Sequence, residues 1–482
     1  MTLRKLAFAR KQHEALRPHQ IFLRQRQAFL ADPMPDAASR IRRLNALRKA
    51  IVAHRDDLVL AMSRDFGHRA DYDSLLGDIL PAVNSLRYCA RHVRRWMRPE
   101  RRRAGMLLLP ARVRVVYQPL GVVGIIVPWN FPLMLSAGPL AFALAAGNRA
   151  MIKMSEFTPA TNKVLGCLMR KIFREDEVAL IDGSIEVAQA FSRQPFDHLL
   201  FTGSTAVGRH VMHAAADNLT PVTLELGGKS PVIIDADIPM DIAVARLILG
   251  KCMNAGQICI APDYVLLPKQ RVDEFVAAYT RAFADRYGNV SDNPDYTSII
   301  NEAHFRRIQD CLKDARDKGA VVIDTDPGGS VPDPDQRKLA TQLVLKVTDD
   351  MMLMQQEIFG PVLPLVACGN MDQAIEYIQQ RPRPLALYLM SFDRSLQRRV
   401  LAETHSGGVC INDTLMHVSA DDAPFGGIGP SGMGQYHGRE GFLAFSKAKT
   451  VLKRGCFFNT GQMAHPPYGT LLQRLLLKLF LR

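Results

Sequence analysis

The chain has 482 residues, 48% of them hydrophobic and 22% charged, with 33 Gly and 29 Pro. That composition excludes collagen-like, disordered and disulfide-stapled proteins, and the length implies two or three domains. The net charge of +14 sits at the ends: residues 1–103 hold 23 basic and 10 acidic side chains, 104–450 hold 33 and 37, and 451–482 hold 5 and none.

Residues 37–100 read as helices, because Ile41, Leu44, Leu47, Ile51, Leu58 and Met62 recur at three- and four-residue intervals between charged positions. The runs Arg94-Arg95 and Arg101-Arg102-Arg103 raise the question of nucleic acid or an anionic membrane surface. No aromatic-interleaved RNA motif or zinc-finger spacing accompanies them, so they read as a solvated helical face with no nucleic-acid partner. The period then changes. Arg112–Tyr117 alternates like a strand, Pro119-Leu-Gly121 turns, and Val122–Val127 forms an apolar strand ended by Pro128 and Pro132.

Short apolar runs next alternate with helical segments: a strand at Ala150–Lys153, a helix over 159–173, a strand at His198–Phe201, a helix from about 205 and a strand at Val222–Leu226. Such alternation implies an α/β fold with a parallel sheet covered on both faces. A second alternating block runs from about 230 to 405, followed by a Gly-rich stretch from Phe425 to Gly434 and a strand at Lys447–Leu452. No internal repeat or low-complexity linker interrupts the chain. In the tail, Arg474, Lys478 and Arg482 fall at i, i+4 and i+8 against a Leu/Phe surface, an amphipathic helix too short to span a bilayer. It is expected to lie at a membrane surface, cover the substrate mouth or pack on a partner subunit.

Eight Cys without a CxxC pair fit neither a disulfide framework nor a zinc site, so no metal is expected. There is no signal-peptide pattern and no apolar run of membrane-spanning length. The expected location is cytoplasmic, with a peripheral position at the inner membrane face as the alternative.

Four motifs carry chemistry. Phe201-Thr-Gly-Ser-Thr-Ala-Val-Gly208 runs from a strand end through a turn into a helix, where backbone N–H groups and the Ser204 hydroxyl suit a pyrophosphate; a plain turn is the competing reading. Asn254-Ala-Gly-Gln-Ile-Cys259 presents a thiol after a turn, either a nucleophile or a small buried hydrophobe. Glu225-Leu-Gly-Gly-Lys229 places a carboxylate at a strand end, with a surface ion pair to Lys229 as its plainer explanation. Pro128-Trp-Asn130-Phe-Pro132 is a rigid loop presenting one amide.

Taken in order, these motifs resemble the aldehyde dehydrogenase superfamily. Lys153 with Ser155-Glu156, Glu357-Ile-Phe-Gly-Pro361 and Pro424-Phe-Gly-Gly extend the likeness from about residue 37 to 450. Within it, the chain is similar to the class of fatty and aromatic aldehyde dehydrogenases. Its runs Gln194-Pro-Phe-Asp-His-Leu, Ala261-Pro-Asp-Tyr-Val-Leu-Leu and Asn293-Pro-Asp-Tyr-Thr-Ser-Ile-Ile-Asn most resemble bacterial coniferyl aldehyde dehydrogenases. One departure is Met154, where the family's usual motif has Pro.

The resemblance implies a Rossmann-type NAD-binding domain (1–110 with 125–228 and 415–440), an α/β catalytic domain (229–414), an oligomerisation arm (111–124 with 441–455) and an amphipathic tail (456–482). It implies oxidation of an apolar aldehyde, with a coniferyl-type aromatic aldehyde favoured, to the acid through a Cys thiohemiacetal and thioester. Cys259 would be the nucleophile, Glu225 the base that activates water, and Asn130 an oxyanion donor with the Cys259 backbone N–H. Trp129, Lys153, Glu156, Gly203, Ser204, Glu357 and Phe359 would hold the cofactor. A carboxylate at Glu156 repels a 2′-phosphate, so NAD is expected over NADP, a preference that Lys153 softens. A homodimer is implied. The competing functions are a membrane-associated medium- or long-chain fatty aldehyde dehydrogenase, a CoA-acylating dehydrogenase, and a non-catalytic scaffold.

Overall fold

The computed structural model describes residues 3–328, 333–456, 461 and 465–481. Three sheets organise it. The first is six-stranded, in the order Gly432–Met433, Val222–Glu225, His198–Thr202, Val122–Ile126, Arg149–Lys153 and Val178–Ile181. It is parallel except at its first pair, where Gly432 and Met433 return antiparallel beside Glu225 and Leu224. The β-branched, near-continuous apolar runs seen in the sequence form the buried strands of this sheet.

The second sheet has seven strands: Val321–Asp324, Gln342–Leu345, Val362–Cys368, Pro262–Pro268, Ser230–Ile234, Ala386–Met390 and Gly408–Ile411. The third is a three-stranded antiparallel arm of Glu100–Arg102, Arg112–Pro119 and Ser446–Lys453. Arg101 and Arg102 therefore stand on a strand and not on a helical face, because their backbone pairs with Arg114 and Val113. Arg94 and Arg95 do end an exposed face of the helix Leu80–Trp96, whose other side is buried.

The helix Met134–Ala146 is apolar all round and buried along its length, so it acts as the central rod of the main core. Both of its ends are tied electrostatically. The buried Asp78 carboxylate accepts from the Met134 N–H at the positive end, and Arg40 donates to Ala145 O and Ala146 O, at 2.9 and 2.7 Å, at the negative end. Gly147 closes that end in a left-handed conformation, φ 95°. Because this rod begins four residues after Asn130, anchoring it also anchors the loop that presents the Asn130 amide.

An N-terminal helix, Leu3–Ala31, was not apparent in the periodicity. It docks against the six-stranded sheet through buried Ile21 and Phe22, which pack with Val122, Met151 and Phe196, and Gln25 donates to Ala150 O and Glu175 O. In the tail, Leu471–Phe480 is helical and closed by a Thr470/Gln473 capping box, with none of its residues buried. Among the described residues no helix is long and apolar enough to cross a membrane.

Candidate active site

Cys259 follows a backbone turn that few sequences adopt. Asn254, Ala255 and Gly256 all have positive φ (50°, 52° and 72°), which is costly for the two residues that carry a Cβ. Gly256 is needed on a second count, since a Cβ there would lie 2.6 Å from Gly360 O.

Buried hydrogen bonds hold the turn against this strain. The Gln257 amide donates to Asn254 O and Ser298 O at 2.9 and 3.1 Å, and its oxygen accepts from the Ile300 N–H. Asp73 accepts from the Asn254 N–H at 2.9 Å and from the Thr297 hydroxyl. The Asn130 amide is stitched to the same turn by donating to Gln257 O at 3.2 Å. One of its two amide hydrogens is thus spent on holding position, and the other remains for a ligand.

Two cavities meet at the thiol. One, of about 140 Å³, is walled by Phe131, Met134, Met253, Ile258, Leu415, Met416, Phe425 and Tyr436. The other, of about 420 Å³, is bounded by Trp129, Asn130, Thr202, Gly203, Ser204, Glu225, Glu357 and Phe359. Cys259 lines both. The half-buried thiol packs against the main core yet opens on both cavities, which weighs against a purely space-filling role for Cys259.

Glu225 ends the strand Val222–Glu225, is 3% exposed, and neither carboxylate oxygen has a partner. Burial alone pushes its carboxyl well above the usual range. The plainer explanation of Glu225 fails. Lys229 pairs with Asp263 and donates to Leu353 O, leaving Glu225 unpaired. Burial pushes the Cys259 thiol up to about 12, and the neighbouring Glu357 and Glu225 add to the shift.

The second cavity suits a dinucleotide. The helix Thr205–Ala216 starts at its wall, with Ser204 as N-cap accepting from the Val207 N–H at 3.4 Å. Glu357 is raised to about 8 by burial and by Asp263, partly opposed by the Gly228 N–H that hydrogen-bonds to it. A Cβ at Gly227 would come 2.0 Å from Glu357 Oε2, so only glycine lets this carboxylate lie across the strand end. Trp129 and Phe359 meet edge to face at 5.4 Å. The unpartnered buried Thr202 hydroxyl and Glu225 carboxylate are polar groups awaiting a ligand in this cavity.

The structure thus gathers Cys259, Glu225, Asn130, Trp129, Gly203, Ser204, Glu357 and Phe359 around one space. Lys153 and Glu156 stand outside its lining, one strand over. Lys153 is buried at the end of its strand, beside Ile126, and donates to Met154 O at 2.6 Å; Glu156 is exposed. Met154 donates its N–H to Ile181 O at 3.0 Å, a bond that proline could not make, so the loop is anchored by a different device. Sequence reasoning missed His304, whose ring lies 5.1 Å from Trp129, and Arg307, which donates to Ile358 O at 2.6 Å. Both sit on the helix Glu302–Asp317, which carries no motif of its own.

Comparison with known proteins places this geometry. The model of the aldehyde dehydrogenase family matches residues 25–451. A protein of Pseudomonas aeruginosa named "Probable coniferyl aldehyde dehydrogenase" is 55% identical, over 96% of each chain. A solved substrate-bound state of Staphylococcus aureus AldH superposes with a TM-score of 0.91 at 36% identity, covering 96% of this chain and 99% of that one. A Mycobacterium tuberculosis aldehyde dehydrogenase complexed with NAD+ superposes at 0.83 and 28% identity, covering 92% of each.

Proposed function

We propose, from the premise that this chain belongs to the aldehyde dehydrogenase family and is an NAD(P)-dependent oxidoreductase, that it oxidises a coniferyl-type aromatic aldehyde to the acid with NAD. The observation that carries this reading is the placement of Cys259 where an apolar cavity meets a polar one. An apolar aldehyde enters from the first, and its carbonyl arrives at the thiol beside Asn130.

In this reading Cys259 loses its thiol proton to solvent in the larger cavity, and the thiolate Sγ adds to the carbonyl carbon to form the thiohemiacetal anion. The remaining Asn130 N–H and the backbone N–H of Cys259 hold the developing oxyanion, and their turn is already organised by Gln257 and Asp73. NAD, when bound, supplies the acceptor for the hydride that leaves the thiohemiacetal. Glu357 would hold the nicotinamide ribose, Gly203 and Ser204 would lie by the pyrophosphate, and Trp129 and Phe359 would flank the cavity. Lys153 and Glu156 would reach the adenine ribose from the neighbouring strand end. Glu225, raised by burial, is a stronger base than an ordinary carboxylate and takes the proton from the water that hydrolyses the thioester.

The presence of a carboxylate in that position favours water over a CoA thiol as acceptor. The triad of Cys259, Glu225 and Asn130 around one cavity argues against a non-catalytic scaffold. The division into cofactor domain, catalytic domain, arm and tail is supported by the three sheets, with Glu100–Arg102 joining the arm. The free edge of Ser446–Lys453 suits strand addition in a homodimer, and the exposed tail helix suits contact with a membrane surface.

Substrate choice is tested by comparing kcat/KM for coniferyl aldehyde with that for a long-chain alkanal. A higher value for the aromatic propenal is expected; a clear aliphatic preference overturns the substrate and favours the fatty aldehyde reading.

A further inference from the structure

The register of the arm sorts its side chains sharply. Residues directly opposite one another across an antiparallel pair point to the same face, and successive residues alternate. Arg101 faces Arg114, and Arg112 faces Lys453. Lys449 and Lys447 lie opposite Val116 and Gln118, two and four residues along from Arg114. One face of the arm therefore collects Arg101, Arg112, Arg114, Lys447, Lys449 and Lys453, with no acidic residue among them. All six are exposed, and none forms an ion pair within the described residues. The opposite face carries Glu100 and Tyr117, which bond to each other at 3.0 Å, and Tyr117 packs edge to face on Phe442 of the body.

Like charges directly opposite in a sheet are destabilising, so the pairs Arg101–Arg114 and Arg112–Lys453 have a cost that no ion pair among the described residues offsets. Face-to-face pairing of two copies would double the repulsion. A nucleic acid would neutralise the face but leave a second feature unexplained: from Lys453 the chain continues to the tail helix, where Leu471, Leu472, Leu475 and Leu479 stand exposed beside Arg474 and Lys478. The segment between them, at up to about 3.5 Å per residue, is long enough to lay that helix beside the arm.

We propose that this six-cation face of the arm is a docking surface for an anionic phospholipid bilayer, acting together with the tail helix. The arm supplies electrostatic attraction to the headgroups and the tail supplies apolar insertion, the two signals that stable peripheral binding requires. This extends the tail contact proposed above to a site on the folded body, and it is independent of which aldehyde is oxidised.

Co-sedimentation of full-length protein with phosphatidylcholine vesicles, with and without a quarter phosphatidylglycerol, tests it. Wild type binds the anionic vesicles and not the neutral ones, and raised salt releases it. Each neutralised cation weakens binding about fivefold, so the combined Arg114→Gln, Lys447→Gln and Lys449→Gln variant binds on the order of a hundredfold more weakly. NADH production in solution, unchanged in that variant, shows that it is folded, and the salt dependence of wild type tests the same point without substitution. Equal binding of variant and wild type overturns the arm surface. If a Leu475→Gln, Leu479→Gln variant then loses binding, the tail contact stands alone. Single-stranded RNA that competes the protein off the vesicles at lower concentration than free phosphatidylglycerol vesicles also overturns the proposal.

Discussion

The two cavities that meet at Cys259 are built on opposite principles. The larger is bounded by groups left deliberately unsatisfied: the Glu225 carboxylate and the Thr202 hydroxyl are buried there without a partner. A buried polar atom without a hydrogen bond costs about 1–3 kcal/mol. The smaller cavity has no such cost, being walled by Phe, Leu, Ile and three Met side chains, which adapt to an apolar guest. One side is lined by polar groups without partners; the other is apolar and adaptable. Burial, with Glu357 and Glu225 nearby, favours the protonated form of the thiol between them.

That contrast is sharpened most by removing the shared residue. Cys259→Ala should lower aldehyde oxidation on the order of 10⁵-fold, while NAD still quenches the intrinsic fluorescence of the protein. Turnover retained in this variant would show that the chemistry happens elsewhere.

The polar side alone is tested by Glu225→Gln. Steady-state turnover should fall about 10²- to 10⁴-fold, with a burst of NADH ahead of it as the thioester accumulates. In the wild type the acidic limb of the turnover profile should lie well above the ordinary carboxylate range, because burial raises this group. Stability carries the same signature with the opposite benefit. A carboxyl raised in the folded state binds a proton that the unfolded chain has released, so stability falls as pH rises from the unfolded pKa through the folded one. The Tm of wild type should drop across that window relative to Glu225→Gln, and parallel curves would mean that Glu225 is not the raised group.

The smallest effect belongs to the apolar side. Met416→Gln puts an amide at the half-exposed wall of the smaller cavity and should raise KM for an apolar aldehyde by about tenfold, with kcat unchanged. An altered kcat with constant KM would place Met416 with the reacting groups instead.

Much of this was legible from local pattern. The strands Arg149–Lys153, His198–Thr202 and Val222–Glu225 fall within a residue of the apolar runs that announced them, and the helix Pro159–Ile172 lies within the expected span. The helix Leu3–Ala31 was not legible. It carries a proline at Pro18, and buried side chains such as Ile21 and Phe22 gain their partners only by docking against the six-stranded sheet. The strand Glu100–Arg102 was read as helical surface because three consecutive arginines have no period, and only pairing with Arg112–Pro119 makes them a strand.

By itself, the amino-acid sequence determined the alternation of strands and helices, the motifs that present a thiol, an amide and a carboxylate, and the confinement of excess charge to the two ends. The first and last of these are properties of neighbouring residues, expressed by short-range sterics and hydrophobic periodicity, whereas the motifs acquire candidate roles only through their shared resemblance to a family. The tertiary structure alone decided that Lys229 takes Asp263 and leaves Glu225 unpaired, that one thiol opens on two cavities, that Lys153 and Glu156 stand one strand away, and that six cations share a face of the arm. Each depends on which atoms lie within a few ångströms after segments distant in the chain have packed. Coulomb and desolvation energies follow those distances and not the order of residues along the backbone.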